Sequence, residues 1–197
     1  MNFIRSPYNN FECPVIQVYK NEVVETVNLA IELNEHIIKH NLQPRDGAPT
    51  GEKGLEYSVY GAIGQKAGQK YLDITSQYVK FLKHEEISDL GSFVDVKAID
   101  IESYSLIVRG HNLPEWAYLL VSSHRVVPNE YPMPYVVCGW YWGFEAKNRV
   151  YRRNPNRRNP AYFVERGHLR DPKELLELID KIKIENPWAV YAKWPFK

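Results

Sequence analysis

The chain has 197 residues, of which 44% are hydrophobic and 13% aromatic, and its 25 Lys and Arg residues nearly balance 24 Asp and Glu residues. This composition supplies enough apolar surface for a folded core and excludes an intrinsically disordered protein. The length predicts one domain over residues 1–197, and the net charge of +1 gives the whole molecule no field that favours a polyanionic partner, so any nucleic-acid surface must come from local clustering.

The sequence predicts a cytoplasmic protein that does not enter a membrane. It has no apolar run approaching the roughly 20 residues that a membrane-spanning helix requires. Charged and polar residues interrupt its beginning, so the apolar stretch of a signal peptide is missing there. Cys13 and Cys138 lie far apart and have no Cys or His beside them at metal spacing, which favours two buried free thiols.

The first elements in chain order are a short strand and a helix. Alternating side chains favour a strand over residues 14–20. Asn21 is a suitable N-cap for a helix that runs to about Asn41, with apolar residues at helical spacing and Glu22 in the favourable first turn.

A loop rich in Pro, Gly and Asp is predicted over residues 42–54, before a second helix from roughly Glu56 to Leu82. Gly61, Gly64 and Gly68 lie in this helix, and each lowers helix propensity by about 1 kcal/mol relative to Ala. Three such costs predict that the helix approaches another backbone closely, where a larger side chain would not fit.

The rest of the chain predicts strands and a final helix. A hairpin is expected around residues 89–98, with Val94 and Val96 on a buried face. Further apolar runs with the composition of strands occur at 104–109, 116–123, 134–143 and 161–165. Residues 172–184 begin with Pro and repeat Leu and Ile at helical spacing, which indicates an amphipathic helix. This order predicts an α/β (α+β) domain with a central mixed sheet flanked by helices.

Two carboxylates and an amine are concentrated in the expected hairpin. Strand alternation places Asp95 and Lys97 together on the face opposite Val94 and Val96, with Asp89 a short way back across a turn. Converging carboxylates repel each other unless a cation joins them, and Mg²⁺ is held by one or two carboxylates with waters and phosphate oxygens. A neighbouring ammonium is suited to orient the attacking water or to stabilise a phosphorane-like transition state. Spacing alone favours a simpler interpretation, a surface ion pair, so the context has to decide.

That context consists of three motifs in a fixed order: glycines and a glutamine in the second helix, then the two aspartates and the lysine, then an aromatic segment after a strand. They are Gly61, Gly64 and Gln65; Asp89, Asp95 and Lys97; and VCGWYWGFEA over residues 137–146. The arrangement resembles the PD-(D/E)XK nuclease superfamily, in particular small restriction-endonuclease-like proteins encoded by phages. The resemblance covers about residues 15–180 and implies a restriction-endonuclease-like core.

The resemblance also assigns roles. It implies that Asp89 and Asp95 bind Mg²⁺ or Mn²⁺, that Lys97 is the signature lysine, and that Gln65 supports the site from a position that often holds glutamate. A glutamine still offers a carbonyl oxygen, but it removes one negative charge and so weakens metal affinity.

The glutamine leaves three interpretations open: a tolerated variant, a site that recruits Glu22 or Glu56, or a nuclease fold that has lost its chemistry. Glu56 is more than two helical turns from Gln65, and Glu22 is more simply explained as a first-turn residue of its helix. The expected function is metal-dependent hydrolysis of DNA by an endonuclease of phage or mobile-element origin, acting in the (host) cytoplasm. The alternative is an inactive relative that binds nucleic acid or a protein partner. Because cutting both strands usually needs two active sites, a homodimer also stays open.

A basic segment, KNRVYRRNPNRRNP over residues 147–160, supplies local positive charge. Its basic residues are Lys147, Arg149, Arg152, Arg153, Arg157 and Arg158. Arginine binds phosphate through paired donors, so the segment predicts contact with the DNA backbone, which positions a substrate without reading its sequence. A solvated basic loop is the alternative.

The aromatic segment allows a second kind of contact with nucleic acid. Trp140, Tyr141, Trp142 and Phe144 are of the types that stack on bases in single-strand-binding proteins. Their position inside an apolar strand favours packing in the core instead.

Overall fold

A computed structural model describes residues 1–40, 51–74, 90–91, 93–100, 105–123, 130–153 and 160–186. The elements, in chain order, are β1 (Asn2–Arg5), β2 (Glu12–Val18), α1 (Lys20–Lys39), α2 (Gly51–Leu72), β3 (Val94–Asp100), β4 (Ser105–Arg109), β5 (Ala117–Ser123), β6 (Met133–Trp142), α3 (Gly143–Ala146), β7 (Arg152–Arg153), β8 (Ala161–Glu165) and α4 (Pro172–Glu185). None of the helices within these ranges is long and apolar enough to cross a membrane.

The strands form two sheets. Five of them form a mixed sheet in the order β1-β2-β6-β5-β3, and three form a smaller sheet in the order β4-β8-β7. Among these strands, β3 and β5 pair in parallel and the other neighbours pair antiparallel. The chain leaves the larger sheet after β3, passes through β4 in the smaller sheet and returns as β5. The predicted α+β class with a mixed sheet and flanking helices is confirmed.

Two apolar cores lie on the opposite faces of the five-stranded sheet. On one face, Val96 of β3 and Leu119 of β5 pack with residues of α1, α2 and α4. On the other face, Leu120 of β5 packs with Leu106 of β4 and Val164 of β8. Because β5 is covered on both faces, it is buried along its whole length, which explains its apolar run from Ala117 to Val121.

The structure corrects the ends of the second helix. α2 begins at Gly51, inside the predicted loop, and Gly54 is already buried, so packing overrides the loop-like composition. The helix ends at Leu72, because Asp73 adopts a left-handed conformation with φ of 49°. Residues 75–82 of the predicted helix lie outside the described residues.

The expected hairpin around residues 89–98 is a tight turn followed by a strand with a different partner. Leu90 and Val94 exchange both backbone hydrogen bonds, so the chain reverses direction just before Asp95. From Val94 onward, β3 pairs with β5. The prediction also missed β1, whose four residues are all exposed and therefore show no alternation.

Close packing explains two of the three glycines in α2. A Cβ atom on Gly64 would overlap the Cβ of Ala98, and one on Gly68 would lie 2.9 Å from Cγ2 of Val96. Among the residues that the structure describes, a Cβ on Gly61 would meet no atom within 4 Å. The predicted close approach is therefore confirmed for Gly64 and Gly68, which allow α2 to lie on β3, and it is wrong for Gly61.

Candidate active site

Asp95 and Lys97 form an ion pair on β3, an edge strand among the strands described. Oδ2 of Asp95 lies 2.7 Å from Nζ of Lys97. Only 10% of the Asp95 side chain and 26% of the Lys97 side chain are exposed. Strand alternation directs both side chains away from Val96 and α2. The pair is therefore more buried than the solvated surface ion pair that its spacing alone suggests.

An aromatic ring of the neighbouring strand lies beside this pair. Tyr118 of β5 is in register with Asp95, and Nζ of Lys97 lies 5.8 Å from the centroid of its ring. The Tyr118 hydroxyl donates a hydrogen bond of 2.8 Å to the carbonyl oxygen of Leu113, which fixes the ring. Close to such a buried ring, the attraction between the two charges is stronger than it would be in water. Sequence pattern does not reveal this neighbour, because the contact depends on the register between β3 and β5.

The ion pair lies near one margin of the second core. Ile99, two residues after Lys97 on the same face of β3, packs against the apolar cluster that β4 and β8 complete. Lys97 itself remains about one quarter exposed. The ammonium is therefore accessible from solvent, while the apolar cluster covers the same face of β3 beyond Lys97.

Of the other two residues of the predicted site, the structure describes Gln65. Gln65 is half-buried on α2, next to Gly64, which packs on Ala98. That contact is on the face of β3 opposite Asp95, so Gln65 lies in a different layer from the ion pair. Asp89 lies outside the described residues.

The metal ion that the resemblance implies needs more oxygen ligands than the described residues bring together. Mg²⁺ requires near-octahedral coordination, usually by one or two carboxylates with waters and phosphate oxygens. Asp95 supplies one carboxylate, and Lys97 balances its charge. Within the described ranges, no group of three or more His, Cys, Asp or Glu residues converges on a point. The described residues can therefore supply part of the coordination shell of such an ion.

Glu22, considered as a substitute ligand, has a different role. Its Oε2 accepts a hydrogen bond of 2.8 Å from the backbone N–H of Tyr19 and one of 2.7 Å from Nζ of Lys70. Lys70 also donates to the carbonyl oxygen of Gln17 at 2.7 Å. Glu22 thus caps a backbone N–H at the start of α1 and links α1 to α2, which confirms its assignment to the first turn. Glu56 is exposed on α2.

This cluster makes the stability of the fold depend on pH. Partial burial raises the pKa of Glu22, but the hydrogen bonds from Lys70 and from the Tyr19 backbone outweigh burial and lower the pKa overall. A carboxyl whose pKa is lower in the folded state stabilises the protein above its unfolded pKa of about 4.3, and this contribution is lost as pH falls through the folded pKa.

We expect Glu22→Gln to lower the free energy of unfolding by about 1 kcal/mol at pH 7, because it weakens both the cap and the ion pair. The difference should shrink as pH falls below the unfolded pKa of about 4.3 and vanish only below the lower folded pKa, where Glu22 is protonated in both states. Urea unfolding at pH 7 and at pH 3 measures the difference. Glu25→Gln, at an exposed position of the same helix, is the matched control and should change little. A deficit of equal size at both pH values would contradict the expectation.

Lys147, the first residue of the basic segment, holds a neighbouring loop in place. Nζ of Lys147 donates hydrogen bonds to the carbonyl oxygens of Gly110, at 3.0 Å, and of Asn112. Burial lowers the pKa of Lys147, and the nearby Glu115 opposes this effect. Lys147 therefore anchors the loop between β4 and β5, while contact of the basic segment with phosphate stays a prediction.

Two arginines of the segment differ from Lys147 in being exposed. Arg149 and Arg152 are exposed, and the backbone of Arg153 pairs with Ala161 of β8. Arg157 and Arg158 lie outside the described residues.

The aromatic segment is divided between core and surface. Trp140 is 2% exposed and belongs to the core, as its strand position predicts. Tyr141 and Trp142 are half-buried, whereas Phe144 is 59% exposed at the start of α3.

The two cysteines do not add a reactive group. Both are free and buried, as predicted. Burial raises the pKa of Cys13 to about 11 and that of Cys138 to about 12. Neither thiol is therefore ionised at neutral pH, and neither can act as a nucleophile there.

Comparisons of the chain with family models, with curated proteins and with solved structures find no match. A function therefore has to be argued from the chemistry of the site.

Proposed function

We propose that the protein is a Mg²⁺- or Mn²⁺-dependent deoxyribonuclease with a restriction-endonuclease-like core and an active site around Asp95 and Lys97. The observation that carries the proposal is the ion pair of 2.7 Å between these two side chains on one face of an edge strand. A carboxylate and an ammonium at D-x-K spacing form the arrangement implied by the resemblance to PD-(D/E)XK nucleases. An endonuclease of phage or mobile-element origin, acting in the cytoplasm, is the form of the proposal that we favour.

The energetics of the pair favour a role beyond stability. Removing a carboxylate and an ammonium from water costs free energy that their attraction returns only in part, and an apolar pair in the same place is often as stable or more stable. The neighbours Tyr118 and Ile99 would accept apolar side chains on this face. The presence of both charges at this position therefore favours a role in binding or catalysis.

Each residue then has a distinct role. Asp95 and Asp89 would hold the metal ion, which when bound activates the phosphate and a water molecule as a Lewis acid. Lys97 is about one quarter exposed, so its ammonium can stabilise negative charge that develops on the phosphate oxygens. Tyr118 keeps the ammonium at the site through the face of its ring. To support the coordination shell of the metal ion, the side chain of Gln65 would have to reach around β3 from α2.

The arginines would bind the DNA backbone. The proposed contacts are Arg149, Arg152, Arg153, Arg157 and Arg158. The exposure of Arg149 and Arg152 supports this role. Ala161 pairs with both Arg153 and Arg109, so a further exposed arginine, at the end of β4, lies two strands away in the same sheet. Backbone contacts of this kind should make binding fall steeply with salt.

Incubation of the protein with plasmid and linear DNA tests the proposal. We expect cleavage with Mg²⁺ or Mn²⁺, none with EDTA, and none with Lys97→Ala. Direct linearisation of the plasmid would indicate paired active sites and hence a homodimer, whereas nicking would indicate single sites. Cleavage that persists in both EDTA and the variant would contradict the proposal.

A second candidate is supported by Gln65 and by the incomplete set of metal ligands among the described residues. A glutamine in place of glutamate and a single carboxylate neutralised by Lys97 are also what a catalytically inactive relative would keep. Such a protein would bind DNA, or a protein partner, without cutting it. Salt-dependent DNA binding without cleavage under every metal condition would favour this candidate.

A further inference from the structure

Three aromatic rings form a continuous stack at the end of the sheet where β3 begins. The ring centroids of Phe93 and Trp142 are 6.3 Å apart with an angle of 27° between the planes. Those of Trp142 and Phe144 are 5.9 Å apart with an angle of 22°. We call these three residues the aromatic stack.

The aromatic stack leads from the protein interior to solvent. Phe93 and Trp142 are half-buried, while Phe144 is 59% exposed. The backbone under the exposed ring is held in place, because the N–H of Phe144 donates to the carbonyl oxygen of Pro114 at 2.7 Å and the N–H of Gly143 donates to that of Trp116 at 2.8 Å. The outermost ring is thus presented on a fixed backbone and backed by a second, nearly parallel ring.

We infer that the aromatic stack binds a nucleobase of an unpaired DNA strand, with Phe144 as the contacting residue. This inference rests on the proposed function, since it names the form of DNA that the site accepts. A flat ring that continues a series of near-parallel rings is the partner that the geometry fits, and base–aromatic stacking of this kind tolerates any sequence.

Position and size favour a base over a protein surface. Phe93 precedes Asp95 by two residues, so a strand with its phosphate at Asp95 and Lys97 would run close to the aromatic stack. The exposed apolar part is essentially one ring, which suits a single base and is too small for a protein-binding patch. Arg149, exposed a few residues beyond Phe144, adds the positive charge that single-strand binders combine with aromatic rings.

The partner has to be unpaired. In a duplex both faces of each base are covered by its neighbours, so a base reaches Phe144 only from a single strand, a frayed end or a flipped nucleotide. The site should therefore prefer single-stranded DNA to a duplex of the same sequence.

A binding experiment in EDTA tests this without cleavage. The probe is a single-stranded DNA oligonucleotide carrying 2-aminopurine, whose fluorescence falls when the base stacks. We expect the full-length wild-type protein to quench the probe and to bind it more tightly than the duplex of the same sequence. Phe144→Ala and Phe144→Leu should both weaken binding by about tenfold or more, because leucine keeps the apolar bulk without the ring. Phe144→Trp should keep both binding and quenching.

The inference would be overturned by wild-type affinity in both Phe144→Ala and Phe144→Leu, by equal affinity for the duplex, or by no binding of the probe. Circular dichroism and melting temperatures show that the variants are folded. The two proposals can fail separately. If DNA binding depends on Phe144 but the protein never cleaves DNA, only the nuclease proposal is contradicted. If the protein cleaves DNA with a metal ion and the Phe144 variants bind DNA as the wild type does, only the inference about the aromatic stack is contradicted.

Discussion

A chain carrying both Asp95→Asn and Lys97→Met should be about as stable as the wild type, or more stable, and unable to cleave DNA. Both substitutions keep the approximate shape of the side chain and remove its charge. The methionine retains an apolar stem beside Tyr118, which Lys97 already contacts. With neither charge present, the cost of withdrawing them from solvent disappears together with their attraction.

The single variants should behave differently from the double variant. Lys97→Met leaves the Asp95 carboxylate, of which only 10% is exposed, without its cation, and we expect a loss of about 1–3 kcal/mol. Asp95→Asn should cost less, because the ammonium it leaves behind is more exposed. The double variant should recover most of the larger loss, so the two substitutions should show a coupling energy of about 1–3 kcal/mol.

Activity should not recover with stability. Each of the three variants lacks a carboxylate or an ammonium of the proposed site, so we expect cleavage to fall by at least about 100-fold in all of them. Urea unfolding and plasmid cleavage measured on the same samples separate the two effects. The matched control is Lys181→Met with Glu185→Gln, which removes an ion pair of 3.8 Å whose side chains are 70% and 64% exposed and should change neither property.

Two results would contradict this account. Retained cleavage by the double variant would show that the chemistry lies elsewhere. If the double variant loses as much stability as the two single variants together, Asp95 and Lys97 are not coupled. The burial of the ion pair would then be no argument for a function.

Local sequence pattern accounts for the parts of the site that one strand determines. Alternation along β3 suffices to put Asp95 and Lys97 on one face, because the period of a strand does not depend on its partners. The buried strand β5 was visible for a similar reason, since cover on both faces leaves a continuous apolar run.

What the sequence could not supply depends on contacts between distant residues. Lys147 resembles its basic neighbours in sequence, yet its amine binds carbonyl oxygens of Gly110 and Asn112, more than 30 positions earlier. The layer occupied by Gln65 depends on which face of β3 receives α2, and periodicity within the helix does not decide that. The contact between Tyr118 and Lys97 likewise needs the parallel register of β5 with β3.

Substitutions at two glycines of α2 should have large and opposite effects on stability. Gly64→Ala should lower the free energy of unfolding by about 1–3 kcal/mol, because the added methyl group would overlap the Cβ of Ala98 and lie 3.1 Å from Cγ2 of Val121. Gly61→Ala, the same change three residues earlier, should raise it by about 0.5–1 kcal/mol, since the methyl group meets no atom of the described part of the chain within 4 Å and alanine restricts the unfolded chain.

The clash at Gly64 also reaches the candidate site. To relieve it, α2 must move away from β3, the strand that carries Asp95 and Lys97, so Gly64→Ala should reduce DNA cleavage as well as stability while Gly61→Ala leaves cleavage unchanged.

Adding Ala98→Gly to Gly64→Ala removes the overlapping methyl group from the other side and should recover part of both losses, less the cost of about 0.5–1 kcal/mol for glycine in a strand. Thermal unfolding and cleavage of the two single helix variants and of this pair test the argument. Equal effects of Gly61→Ala and Gly64→Ala, or no recovery in the pair, would mean that the close approach of α2 does not hold β3 in position.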